Sequence, residues 1–190
     1  RRTLAKGAAA LPLFYWSART ALARHGAEPA LYDDDCGVAS GNPTPTSVVI
    51  WTRVPTSWRN GLAQDEILTV TYEVATTADM TAASVVAQGE LSTSAARDFT
   101  VKTTVEGLEP YTTYYYRFRL TTDFTSVVGR ARTAPAVGSS PERLKIATVS
   151  CQKFASGYYT AYAALCQEDL DYCVHLGDHI YELEGGRFGG

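Results

Sequence analysis

Side chains able to bind a metal ion or carry a proton crowd one short stretch, Asp171-Tyr-Cys-Val-His-Leu-Gly-Asp-His-Ile-Tyr-Glu182. Tyr172, Cys173, Val174 and Leu176 are apolar or β-prone and read as a buried strand. Gly177 ends it, because glycine takes a sharp backbone turn without a Cβ clash. Asp178 follows at once and Tyr181 lies three residues on, so a carboxylate and a phenol can face one centre from a tight loop. Carboxylates at the C-terminal tips of buried strands are where open α/β sheets hold their chemistry. The structural alternative is a Gly-Asp turn with a packed tyrosine. His175 reads as a strand histidine satisfied by hydrogen bonding, with support of a metal's ligands as its functional option. Glu182 reads as a solvent-facing acid with the same option, and His179 is given no role.

The elements that must position these groups follow from periodicity. Leu144 to Ser150 predicts a strand, residues 157–168 place Tyr159, Tyr162, Ala163 and Cys166 at helical spacing, and Leu170 to Leu176 predicts the next strand. A helix between two such strands makes them parallel, linked by a right-handed crossover. Both strands then end on one edge of the sheet, with Cys151 at the tip of the first and Asp178 at the tip of the second. Tyr158 and Tyr159 open the helix and read as core packing or as the mouth of a pocket. Before this unit, Ala134 to Pro141 is a Pro/Gly/Ser linker.

Ahead of the linker, short β-branched runs recur at 47–53, 67–74, 84–91, 97–105, 112–120 and 126–133, separated by Gly, Pro and Asp turns. That spacing predicts an antiparallel sandwich. Gly107 to Tyr114 resembles the tyrosine corner of fibronectin type III domains, with Tyr114 as the tyrosine whose hydroxyl bonds the backbone upstream. Tyr116 and Phe118 share its face at period two, while Arg117 and Arg119 face outward. Trp51 is expected in the core, with a sugar-binding platform as the alternative.

Charge and cysteine content exclude other classes. Of the 190 residues, the first 25 hold five basic side chains (Arg1, Arg2, Lys6, Arg19, Arg24) and no acid. The whole has 17 basic and 20 acidic residues, which leaves 12 against 20 beyond residue 25. Such an acidic body lacks the electrostatic footprint of a nucleic-acid binder. Arg1-Arg2, the apolar run Gly7 to Trp16 and the small residues at Ala21-Leu22-Ala23 read as a twin-arginine export signal, with an amphipathic helix or a Sec-type signal as alternatives. The apolar run is shorter than the roughly 20 residues that span a bilayer, and no other stretch offers an anchor. Asp33 to Asp35 reads as a solvated acidic run, with calcium binding as the option. Cys36, Cys151, Cys166 and Cys173 form no zinc-type spacing; in an exported chain an even number permits disulfides, while Cys166 and Cys173 read as buried core thiols.

Gly177-Asp178-His179-Ile180-Tyr181 fits the GDxxY block of the purple-acid-phosphatase-like metallophosphoesterases. Most of that superfamily ends the preceding strand in an aspartate block, whereas this chain has Val149-Ser150-Cys151-Gln152. Cysteine there resembles the PhoD-like alkaline phosphatases and phosphodiesterases. Gly37 to Arg53 resembles that family's entry into an N-terminal sandwich, with Asn42 where the family usually has Asp, and Gly129 to Pro135 resembles the exit. The resemblance implies 1–35 as export signal and linker, 36–135 as an all-β fibronectin III/Ig-like sandwich, 136–142 as linker, and 143–190 as the first β-α-β part of an α/β metallophosphoesterase domain, incomplete.

The resemblance further implies hydrolysis of phosphate mono- or diesters by an iron–calcium enzyme that is periplasmic, cell-wall-bound or secreted. Cys151 would be a thiolate ligand to ferric iron, Asp178 would bridge metals, and Tyr181 would give iron a phenolate. Metal ions drive such groups to ionise, and a metal-bound water or oxide, not a side chain, would be the nucleophile. The superfamily completes its site with later Asn- and His-bearing blocks that cannot be assigned before Gly190. The 190 residues alone are therefore expected to be an inactive fragment. Two alternatives remain: a non-catalytic binding or adhesion sandwich, and metal-free thiol chemistry at Cys151, which lacks an evident partner base.

Overall fold

The computed structural model describes residues 13–15, 37–55, 59, 61–63, 65–120, 125–151, 153, 159–179 and 181. In chain order these form β1 (Leu13–Tyr15), β2 (Val38–Gly41), β3 (Ser47–Arg53), β4 (Leu68–Ala75), β5 (Val85–Thr93), β6 (Thr100–Glu106), β7 (Thr113–Arg119), β8 (Gly129–Arg132), β9 (Ile146–Val149), α1 (Thr160–Leu165) and β10 (Tyr172–His175). One sheet has the order β6-β3-β2-β1-β10-β9 and the other β5-β4-β7-β8. Every pairing is antiparallel except β9 with β10.

Period-two alternation decides which side chains meet between the sheets. β3 buries Val48, Ile50 and Thr52, and β7 buries Tyr114, Tyr116 and Phe118. All but Thr52, whose hydroxyl donates to Gly37 O, join Val70, Val74, Val101 and Val105 in one core. Two cross-strand Tyr–Gly pairs, Tyr116↔Gly129 and Tyr72↔Gly89, pack ring on backbone. A Cβ on Gly129 would lie 2.3 Å from the Tyr116 ring, so glycine is what admits that ring. The tyrosine corner is present: the Glu109 N–H donates to the Tyr114 hydroxyl at 2.9 Å.

Several expectations need correction. Trp51 is half-buried, not core; the register that buries Ile50 and Thr52 turns it to the opposite face, beside Ala39 and Lys102. The expected strand 97–105 starts at Thr100, because Ala95–Arg97 forms a 3-10 turn and Asp98 and Phe99 take left-handed backbone. β2 pairs with β3 along residues that carried no long alternation. α1 is shorter than the 157–168 periodicity suggested. Cys166 and Cys173 are half-buried, not enclosed. Within the predicted export segment, β1 is described as a strand between β2 and β10. Arg1, Arg2, His25, Ala21 to Ala23, Asp33 to Asp35 and Cys36 lie outside the described residues. Among the described residues no helix is long and apolar enough to cross a membrane.

Candidate metal centre

β9 and β10 lie parallel, with His175 opposite Val149. The chain therefore leaves both strands side by side. Beyond the ladder, the Leu176 N–H donates to Val149 O at 2.8 Å and the Cys151 N–H donates to Gly177 O at 3.2 Å, so the tips stay joined. The backbone then turns abruptly: φ is 130° at Gly177, 54° at Asp178 and 54° at Cys151. Left-handed backbone costs a non-glycine residue on the order of 1–3 kcal/mol and tends to collect at functional sites. Here it occurs at both predicted ligands that leave the strand ends.

The three predicted site residues converge. The Cys151 thiol donates to Asp178 Oδ2 at 3.4 Å, and the Tyr181 hydroxyl donates to the same oxygen at 3.2 Å. All three residues are open to solvent, Tyr181 at 39% exposure. The Tyr181 phenol is pushed up to about 12, first by its hydrogen bond with the Cys151 sulfur, then by desolvation and the Asp178 carboxylate. A phenolate at this position therefore needs a cation to form near neutral pH.

His175 turns its Nδ1 to accept the Gly177 N–H at 3.2 Å, while its Nε2 is shielded from solvent and unpartnered. The expected full satisfaction of this histidine is thus only half met. Its ring meets that of His179 edge-on at 4.8 Å. Burial, then His179, lowers its pKa and favours neutral imidazole. Gln152, Tyr158, Ile180 and Glu182 lie outside the described residues. Cys173 sits within β10, where burial raises its thiol pKa.

Among the described residues no three His, Cys, Asp or Glu side chains form a cluster; the trio here is one thiol, one carboxylate and one phenol. Once ionised, these donors could hold a metal cation, the thiolate being the soft ligand and the carboxylate and phenolate the hard ones. Sequence reasoning missed a second feature, the junction of Arg132 with Asp171. The available signal was an acid opening a buried strand, since acids are almost never enclosed without a partner.

The family described as PhoD-like phosphatase, N-terminal domain, matches residues 20–135, and that described as PhoD-like phosphatase matches residues 146–189. Alkaline phosphatase D of Bacillus subtilis (strain 168) is 40% identical over 152 residues, which are 80% of this chain and 26% of that protein. A solved structure of PhoD is 37% identical with a TM-score of 0.71, covering 80% of this chain and 29% of that one. The chain thus spans 26% of the length of this curated relative.

Proposed function

The chain belongs to the PhoD-like phosphatase family, and from that premise we propose that it is part of an exported alkaline phosphatase or phosphodiesterase whose metal centre includes Cys151, Asp178 and Tyr181. The observation that carries the reading is the meeting of a thiol and a phenol on one carboxylate oxygen, at 3.4 and 3.2 Å, at adjoining strand tips. Those tips fall inside the stretch that matches the phosphatase family, 146–189.

Ferric iron and calcium, when bound, supply charge that offsets the phosphoryl oxygens and lowers the pKa of water to about 7. The chain's own part is to hold the donors. Cys151 would hold iron through its thiolate and Tyr181 through its phenolate, the protons they now donate to Asp178 passing to solvent. Asp178 would be the carboxylate shared between cations, calcium included, since calcium takes oxygen donors. An acidic body with 12 basic against 20 acidic residues beyond residue 25 repels a phosphate ester until bound cations reverse the local field. The substrate is a phosphate mono- or diester. Residues 1–35 serve as a twin-arginine-type export signal and linker; replacing Arg1 and Arg2 by Lys should cut export, and undiminished export would refute that route.

Titration of the chain with ferric iron, with and without calcium, tests the centre. A visible charge-transfer band is expected, shifted by Cys151→Ser and by Tyr181→Phe and lost in the double variant. A full-length protein that folds but stays colourless and iron-free would overturn the reading in favour of a binding or adhesion sandwich. With both metals, hydrolysis of an aryl phosphate by these 190 residues is expected to be negligible. Calcium alone takes about 6–8 oxygens, far more than three donors provide. Robust turnover would show that no further ligands are required.

A further inference from the structure

Past Thr133, the described residues include two buried ones, Asp171 and Tyr172, at 7% and 6% exposure. Both stand where β10 begins, at the end opposite the metal-binding tips. Asp171 Oδ1 accepts the Arg132 guanidinium of β8, and Oδ2 accepts the Lys145 N–H at 2.8 Å. The Asp171 N–H donates back to Lys145 O at 2.9 Å, so one residue ties the starts of β9 and β10 together. The Tyr172 hydroxyl donates to Thr133 O at 2.7 Å. Thr133 is itself fixed in the sandwich, fully buried, its Oγ1 donating to Glu109 O at 2.6 Å. Arg132 lies 3.9 Å from the Tyr111 ring centre, and the Tyr111 hydroxyl donates to Arg143 O at 2.5 Å.

The rest of the unit has little to hold it. Leu144, Ile146 and Leu176 are 44%, 51% and 61% exposed, and β9 and β10 are four residues each. A ladder that short, without an enclosed apolar face, is marginal in water. Besides the pairing of β10 with β1 and the Arg130–Asp169 ion pair, the buried contacts described for this unit are those of the junction. Losing either partner there strands a mostly buried charge, because the Asp171 and Arg132 side chains are 9% and 21% exposed.

We infer that Asp171 and Tyr172 are positioning residues: they clamp the N-terminal ends of β9 and β10 to β8 and so hold the opposite tips, with Cys151 and Asp178, in binding register. The clamp stands on this geometry alone; its service to metal binding rests on the function proposed above.

Amide hydrogen exchange and Cys151 alkylation on the metal-free chain test the clamp. In Asp171→Asn, exchange of the Cys151 and Leu176 amides should rise at least about tenfold while β3 and β7 keep their protection. Tyr172→Phe keeps the ring and loses one hydrogen bond, so a rise of about threefold is expected; it also serves if Asp171→Asn fails to fold. Cys151 alkylation should change in parallel. In the same variants iron affinity, read from the charge-transfer band, should fall without a matching fall in the sandwich's unfolding temperature. Faster exchange confined to residues 143–146 and 170–173 would overturn the proposal. So would an equal rise throughout the sandwich, which would mean global destabilisation. Tips that loosen as expected in a chain that never binds iron would uphold the clamp and refute the metal centre.

Discussion

In the sandwich, β3 points Val48, Ile50 and Thr52 at the facing sheet, and their exposures are 2%, 0% and 1%. In the C-terminal unit β9 shows Ile146 at 51%, with Leu144 and Leu176 similarly open. Both regions hold short apolar strands, yet one encloses its side chains between two layers and the other leaves them open among the described residues. The residues able to do chemistry lie on the second. Strand tips with few enclosed neighbours are where strained backbone and open ligands can coexist, because local opening there does not breach a core. Cys151 and Asp178 are left-handed and open, whereas left-handed Met80 in the sandwich is buried, so openness and not backbone strain separates the two regions. The cost is that order at the tips is borrowed, through Asp171 and Tyr172, from the region that has it in excess.

Mutations that should affect one region and not the other test this contrast. Phe118 is fully buried and meets Tyr116 edge-on at 6.2 Å. Phe118→Ala should remove about 3–5 kcal/mol in urea unfolding followed by tryptophan fluorescence. Ile146→Ala, on the open strand, should stay within about 0.5 kcal/mol. Equal losses would erase the distinction. Next in size are the two glycines. A Cβ at position 129 would come within 2.3 Å of Tyr116, which is 1% exposed and has nowhere to go. Gly129→Ala should cost about 1–3 kcal/mol by overpacking. Gly89→Ala meets Tyr72 at 2.7 Å, but that ring is half-buried and can swing outward, so its loss should be clearly smaller. Smaller again, Tyr114→Phe forfeits the bond from the Glu109 N–H and should cost about 1 kcal/mol by the same assay. An unchanged midpoint would mean that water replaces the hydroxyl freely.

How much of this was legible in the sequence divides along the same line. The alternation of Tyr114, Tyr116 and Phe118 against Arg117 and Arg119 foretold which side of β7 is core. The spacing of two strands about a helix foretold that Cys151 and Asp178 would meet, and they do. Periodicity speaks for a strand's faces but not for its neighbours. It could not say that β2 would lie beside β3, nor that the register burying Thr52 would expel Trp51. The junction was hidden for a further reason. Asp171 opening a buried strand signalled that it needs a partner, but Arg132 lies far away in sequence and looks like an ordinary surface charge, so only the fold shows which partner it takes.

The last contrast sets Tyr172 at the junction against Tyr116 in the sandwich. Burial is the main cause that raises both phenols, Tyr172 to about 12 and Tyr116 further. An unfolded tyrosine ionises near pH 10. Between pH 10 and 12 the unfolded state therefore sheds a proton that folded Tyr172 retains, and stability falls as pH rises. The contribution of the neutral phenol is intact below about pH 10 and gone once the folded group ionises. Tyr116 draws on the same unfolded ionisation, so from pH 9 to 11 it lowers the sandwich's stability as Tyr172 lowers the junction's. In a Cys36→Ala, Cys166→Ala, Cys173→Ala background with Trp16→Phe and Trp58→Phe, a fluorophore on exposed Cys151 would report the C-terminal unit and Trp51 the sandwich. From pH 9 to pH 11 the urea midpoint should fall at both reporters, each by a modest amount that draws on about one titrating group. Tyr172→Phe removes that group at the junction and should make the fall at the fluorophore shallower while the fall at the tryptophan is unchanged. If the fall at the fluorophore is as steep in the Phe variant, some other ionisation loosens the tips, and Tyr172 does not set the alkaline limit of the clamp.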